Sequence, residues 1–292
     1  MNLEYIVKKD DNYTNINQIL KNEFNISSRL FSKLVNLKKI SINGVITDTR
    51  NSVKPKDKIT ISFDYEEDNE NIVPKEMNLD ILYEDDWLLI INKSANIAVH
   101  PSMLHYDNSL SNGIKFYFDK IGLKKKIRPV NRLDRNTSGI VIFAKNEYIQ
   151  ECLINQMKNN NFKKEYLAIV EGHFDEKSGT INKPIARKEN SIIERCISLN
   201  GKESITKYKV LKEFKNYSFI KCILLTGRTH QIRVHLASIN HPILGDSLYG
   251  KESKLINRQA LHCYNINFIH PIYKNNIQII AKLPNDMSNL VV

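Results

Sequence analysis

Residues 128–145 read Arg-Pro-Val-Asn-Arg-Leu-Asp-Arg-Asn-Thr-Ser-Gly-Ile-Val-Ile-Phe-Ala-Lys, and they set one carboxylate, Asp134, between Arg132 and Arg135. A Thr137-Ser138-Gly139 turn follows, and residues 139–144 are apolar without a break, the pattern of a buried strand. A carboxylate on a turn at the entrance to a core strand sits on rigid support, and neighbouring guanidiniums favour its ionised form. Two roles are open to it at this level: it can fix the loop through arginine pairs, or it can act as a nucleophile or base.

Working outward, residues 80–93 predict two strands around an acidic turn, and residues 98–102 a loop in which His100 serves as a hydrogen-bonder. Ile149, Leu153, Ile154 and Met157 mark the apolar face of a helix that ends near residues 159–161. Residues 163–172, Lys-Lys-Glu-Tyr-Leu-Ala-Ile-Val-Glu-Gly, form a β-rich run with Tyr166 near its start. Residues 224–237, Leu-Leu-Thr-Gly-Arg-Thr-His-Gln-Ile-Arg-Val-His-Leu-Ala, begin as a strand and turn at Thr226-Gly227. They predict a helix capped by Thr229, with Ile232 and Leu236 facing inward. Arg228 then falls at a helix N-terminus, beside free N–H groups that suit an anionic neighbour. Many short β-runs with few helices between them give an α+β class with a mixed, largely antiparallel sheet.

Residues 1–63 predict a small α+β unit of their own. Ile16, Ile19, Leu20 and Phe24 lie at helical spacing. A second helix, capped by Ser27 or Ser28, carries Leu30, Phe31, Leu34 and Val35 on one face and Arg29, Lys33, Lys38 and Lys39 outside it. Asn43-Gly44 between two apolar runs is a hairpin signal, and Ile59, Ile61 and Phe63 alternate as a closing strand. Residues 64–74 are acidic and aperiodic and read as a linker, leaving residues 75–292 as the larger domain.

The 292 residues carry 43 Lys and Arg against 32 Asp and Glu, a net charge of +11, which favours a polyanionic partner, nucleic acid first. Cys152, Cys196, Cys222 and Cys263 are far apart and form no C-x-x-C pair, so neither a zinc site nor a disulfide framework is expected. A reducing cytoplasm fits this usage, and no apolar run is long enough to span a bilayer. With no Gly-rich phosphate loop, dinucleotide fingerprint or metal cluster in the sequence, the expected chemistry runs on side chains, without cofactor or metal. A monomer is expected.

Arg132-Leu-Asp-Arg-Asn-Thr-Ser-Gly139 resembles the catalytic signature of the RluA-type pseudouridine synthases, in which the aspartate is the essential residue. The Tyr166 run, residues 224–237, Gly245-Asp-Ser-Leu-Tyr-Gly250 and Leu261-His262 extend the resemblance over about residues 74–284. Asn131 stands where that family usually has His, and Ser94 where it usually has Pro; Asn keeps hydrogen-bonding capacity but does not titrate near neutrality. Residues 14–63, in the order helix, helix, hairpin, strand, resemble the S4 RNA-binding fold. The resemblance implies the pseudouridine synthase fold and isomerisation of uridine in ribosomal or transfer RNA. It implies Asp134 as the catalytic carboxylate, Tyr166 packed against the target base and Arg228 as the counter-charge of Asp134, with Arg132 and Arg233 as second choices. Arg132, Arg135, Thr137, His230 and Arg233 are the expected RNA contacts around the cleft, and Arg29, Lys33, Lys38 and Lys39 those of the N-terminal unit. A non-catalytic RNA-binding protein assisting ribosome assembly is the second reading. Asn131 and Ser94 keep it open, while the joint presence of Asp134, Tyr166 and Arg228 weighs against it.

Overall fold

The computed structural model describes residues 1–69, 71–102 and 106–292, and residue 70 of the expected linker lies outside them. The N-terminal unit holds strands β1 (Asn2–Ile6), β2 (Ile40–Ile42), β3 (Val45–Ile46) and β4 (Lys58–Ser62), paired antiparallel in the order β1-β4-β2-β3. Helices α1 (Ile16–Asn22) and α2 (Ser28–Asn36) start at Asn15 and Ser27, whose side chains accept the N–H groups of Gln18 and Leu30. At the hairpin Ile42 pairs with Val45, and the two turn residues take φ of 50° and 85°, a combination that Asn followed by Gly tolerates. Ile59, Ile61 and Phe63 are fully buried, as their alternation predicts. Val35 departs from its expected face and is 39% exposed.

The larger sheet is built from β5 (Ile81–Glu84), β6 (Leu88–Lys93), β7 (Arg128–Pro129), β8 (Ser138–Ala144), β9 (Lys163–Glu171), β10 (Ser178–Asn182), β13 (Ile205–Glu213), β14 (Tyr217–Leu224), β15 (Leu261–Ile269) and β16 (Asn276–Ile280). Its order is β10-β13-β14-β9-β15-β8-β6-β5, with β16 on β15 and β7 on β8, while β11 (Ile185–Arg187) and β12 (Arg195–Ile197) form a separate hairpin. Every pairing in the sheet is antiparallel except that of β8 with β15. Helices α3 (Leu110–Lys120), α4 (Glu147–Lys158), α5 (Gln231–Ala237) and α6 (Asn285–Ser288) complete the described elements. No helix among them is long and apolar enough to cross a membrane.

Successive side chains of a strand point to opposite faces, and β6 and β8 bury both. Leu88, Ile90, Ile140 and Ile142 join Ile149 and Leu153 of α4 in one core; Leu89, Ile91, Val141 and Phe143 join Leu110, Ile114 and Phe118 of α3 in another. This two-sided burial is why residues 139–144 read as an unbroken apolar run. Gly139 sits where β8 meets β15, with φ +113° and Cys263 O only 2.2 Å from the place a Cβ would take. No other residue fits that crossing.

The N-terminal unit shares the first of these cores, with Phe63 stacked on Tyr148 at 5.8 Å and edge-on to Trp87 at 6.3 Å. The acidic segment is tied down as well. Glu67 accepts from Arg128 at 2.7 and 2.8 Å and from Lys33 at 2.8 Å, Lys33 also pairs with Glu147, and Asn69 bonds the backbone of Lys125 and Ile127. An aperiodic acidic run thus becomes a strap, because Glu67 meets cations from distant segments that no local pattern announces.

Candidate active site

A cleft of about 840 Å³ opens between the loop before β8, the start of β9 and the turn that enters α5. Asp134, Tyr166, Arg228, His230 and Arg233 all line it, as do Arg132 and Thr137. Arg135 lies outside the lining, exposed, with its Nε donating to Asn96 O at 3.3 Å. The four basic residues expected on the N-terminal unit are also outside it.

The loop that carries Asp134 is held at several points. Asn131 is buried and spends its amide on β8, donating to Ile140 O at 3.0 Å and accepting from Ile142 N at 2.9 Å. Thr137 N donates to Asp134 O at 3.1 Å, closing the turn, and Thr137 is itself buried. Arg135 O accepts from Lys93 Nζ at 3.0 Å, and Asn136 O from Arg258 Nη1 at 3.2 Å. Lys93 is 1% exposed, and its Nζ also meets Ser94 O and Ile97 O at 2.8 Å. Burial first, and Arg258 second, push Lys93 down to about 7, against Asp134. Three carbonyl acceptors around one nitrogen nonetheless require three N–H donors, so the ammonium form fits the site. Arg258 is anchored in turn by Asp286 at 2.7 and 2.9 Å.

The flanking arginines do not pair with Asp134, and neither does Arg228. The counter-charge is Arg233, whose Nη1 lies 3.0 Å from Asp134 Oδ2. Arg233 projects from α5 and is fixed from behind by Asp246, which takes Nε at 2.7 Å and Nη2 at 2.8 Å. Tyr249 lies under the guanidinium, 5.0 Å from it. Burial alone would lower the Arg233 pKa, but Asp246 and then Asp134 raise it overall. Arg228 is exposed and donates to Glu203 O at 3.1 Å. The expected Thr229 cap is displaced: α5 begins at Gln231, and the N-cap is His230 with φ 58°, a left-handed residue that swings the preceding turn outward.

His230 Nε2 lies 3.8 Å from Asp134 Oδ2, and its Nδ1 meets Tyr249 Oη at 2.8 Å. Tyr249 Oη already accepts the N–H of Arg195 at 2.8 Å, so its own proton is free for Nδ1, which leaves Nε2 protonated toward Asp134. Desolvation lowers the His230 pKa against the pull of Asp134, with Arg233 and Arg195 adding to the lowering, so the ring is neutral at neutral pH. Tyr166 is 5% exposed, and burial, followed by Cys263 and Asp134, raises its hydroxyl pKa well above the usual value. It stays a phenol that offers a ring face and a proton.

Sequence reading did not assign roles to Asp246, Lys93 or Arg258. Asp246 had a signal, the Gly245-Asp-Ser-Leu-Tyr-Gly250 run; Lys93 ends an apolar strand; nothing local marks Arg258. On the N-terminal unit Arg29 and Lys38 are exposed, whereas the Lys33 ammonium is taken by Glu67 and Glu147 and that of Lys39 by Asp64 O. Lys33 and Lys39, expected at the RNA, thus have their ammonium groups bonded within the protein.

A mixed, mostly antiparallel sheet thus gathers a clamped carboxylate, a bidentate arginine and a buried tyrosine around one cleft. The family model for RNA pseudouridylate synthase matches residues 87–238, and the chain belongs to that family, in its RluA-type branch. It is 38% identical to the uncharacterized RNA pseudouridine synthase YhcT of Bacillus subtilis (strain 168), over 99% of this chain and 96% of the relative. It is 35% identical to the ribosomal large subunit pseudouridine synthase D of Blochmanniella floridana, over 88% of this chain and 87% of that one. Among solved structures, the human RNA pseudouridylate synthase domain containing 1 aligns with TM-score 0.59 and 27% identity, covering 70% of this chain and 83% of that one. The protein is an isomerase acting on RNA.

Proposed function

We propose that this enzyme isomerises uridines in structured ribosomal RNA, with Asp134 as the catalytic carboxylate, Arg233 as its counter-charge and Tyr166 against the target base. The observation that carries the reading is Asp134 itself: 25% exposed on its side chain, open to the cleft, and paired with Arg233 at 3.0 Å. The Asp134 carboxylate is fixed there by the Arg233 guanidinium, itself anchored by Asp246. It can then attack C1′ or take the C2′ proton while uracil is detached and turned. The target base must leave its stack at a cost of about a few kcal/mol, and the Tyr166 face returns roughly 1–3 kcal/mol of stacking. Relatives named for the large ribosomal subunit support ribosomal RNA as the substrate.

Residues 1–63 are assigned to RNA binding through Arg29 and Lys38, and they act as a body fixed on the catalytic part. The test is tritium release from RNA carrying 5-tritiated uridine, since bonding at C5 expels that hydrogen. Wild-type chain is expected to release tritium from ribosomal RNA, and Asp134→Asn to release none while binding RNA as before. An active Asp134→Asn variant refutes the assignment of Asp134, and activity confined to transfer RNA refutes that of the substrate.

A further inference from the structure

One cation in the cleft has no part in the scheme above. Lys164 and Tyr166 are two residues apart on β9, so both side chains leave the same face of the strand, and both line the cleft. Lys164 Nζ lies 3.6 Å from where a Cβ on Gly227 would stand, which places it against the turn before α5, with Leu224 and Phe162 among the cleft-lining neighbours. The adjacent acid, Glu165, is on the opposite face and is spent on Tyr264, Asn265 and Lys221.

Among the described residues, every other buried or half-buried lysine has an acid or carbonyl partner. Lys33 holds two glutamates, Lys125 the carbonyls of Phe63 and Tyr65, Lys145 Glu84, and Lys183 Ser238 O. Lys164 has none, and burial lowers its pKa with only Cys263 opposing. An ammonium left unpaired beside apolar side chains costs stability, and a negative charge supplied by the ligand relieves that cost.

Resting on the reading of Asp134 given above, we propose that Lys164 meets the negative charge of uracil as its bond to C1′ breaks. Heterolysis leaves the C1′–N1 electron pair on the base, spread over N1, O2 and O4. C1′ is taken up by an ester bond to Asp134, or Asp134 removes the C2′ proton and a C1′–C2′ double bond forms. Either way the step closes when C5 bonds to C1′: Asp134 departs with its electron pair or returns its proton to C2′, C5 loses its hydrogen as a proton, and N1 takes a proton up. A detached uracil anion is planar and diffuse, which suits an ammonium on an apolar wall two residues along β9 from the Tyr166 ring. A phosphate is better served by the exposed rim at Arg228.

The test uses the full chain and 5-tritiated ribosomal RNA, with single-turnover tritium release, RNA affinity and thermal melting measured on Lys164→Met and Lys164→Arg. Loss of a charge-stabilising donor of this kind costs about 10²-fold or more in rate. Lys164→Met is expected to show that loss, with affinity unchanged and a melting temperature equal to or above wild type, because an unpartnered charge has been removed. Lys164→Arg is expected to recover part of the rate. Lys164→Met that keeps its rate, that loses affinity and salt dependence in place of rate, or that melts lower overturns the proposal. Wild-type chain that releases no tritium overturns the reading beneath it, an outcome distinct from an active wild type with an unimpaired Lys164→Met.

Discussion

Replacing Glu67 by Gln removes one charge from the strap that binds the N-terminal unit to the catalytic part. The Glu67 side chain is 4% exposed and holds Arg128 and Lys33 at 2.7–2.8 Å. Burial alone would raise its pKa, but the bonds from Arg128 and Lys33 prevail and bring it from 4.5 to about 2. At about 1.4 kcal/mol per tenfold, the ionised carboxylate contributes roughly 3 kcal/mol to stability near neutrality. Because the folded value lies below the unfolded one, this contribution is complete above the unfolded pKa of 4.5 and is lost as the pH falls toward about 2. Glutamine resembles the protonated acid, so Glu67→Gln is expected to lose about 3 kcal/mol near pH 7 and about 1.4 kcal/mol near pH 3. Urea unfolding of both proteins at the two pH values measures this. A loss under about 1 kcal/mol near neutrality, or an equal loss at both, refutes the strap as an ionic device.

Three further outcomes follow from the geometry. Arg233→Lys keeps a cation but cannot span Asp134 and Asp246 together, and is expected to slow single-turnover isomerisation about 10²-fold with RNA affinity held; rapid chemistry in that variant would discard the pairing. Arg228→Ala, which breaks no pairing with Asp134, is expected to leave the single-turnover rate within a few-fold and to lower the salt dependence of RNA binding by about one in slope; a collapse of rate at saturating RNA contradicts this. Gly139→Ala drives a methyl group into Cys263 O and is expected to cost several kcal/mol, read as loss of soluble protein or a lower urea midpoint.

The strands of the core were legible because β6 and β8 are buried on both faces and leave unbroken apolar runs, and the Asn43-Gly44 turn announces itself through backbone chemistry. β1 was missed, since in Asn2–Ile6 only Leu3 is fully buried and five residues give too short an alternation to register. Asp134 and Tyr166 line the cleft as expected, but that Arg233 and not Arg228 pairs with Asp134 was not recoverable locally. It turns on His230 adopting φ 58° and on carboxylates 13 and 99 positions from Arg233. Lys33 shows the same limit. Its helix presents it outside the apolar face, yet the outer side of a small unit is the inner side of the assembled chain, and the acids that claim it lie 34 and 114 positions away. Long-range charge pairing leaves no periodicity to read.

The clamp on the Asp134 loop also sets an order of events during synthesis. Asn136 O is held by Arg258, Arg258 by Asp286, and Gly139 is seated against Cys263, so the loop's final shape depends on chain made more than a hundred residues later. Segments nearer the N-terminus emerge from the ribosome and fold first, whereas pairings this distant in sequence come late. A chain stalled on the ribosome before residue 258 therefore displays the basic N-terminal unit while its carboxylate still lacks the loop geometry for chemistry. If residues 1–63 bind RNA and Asp134 is the catalytic carboxylate, as proposed, nascent enzyme touches RNA before it can modify it.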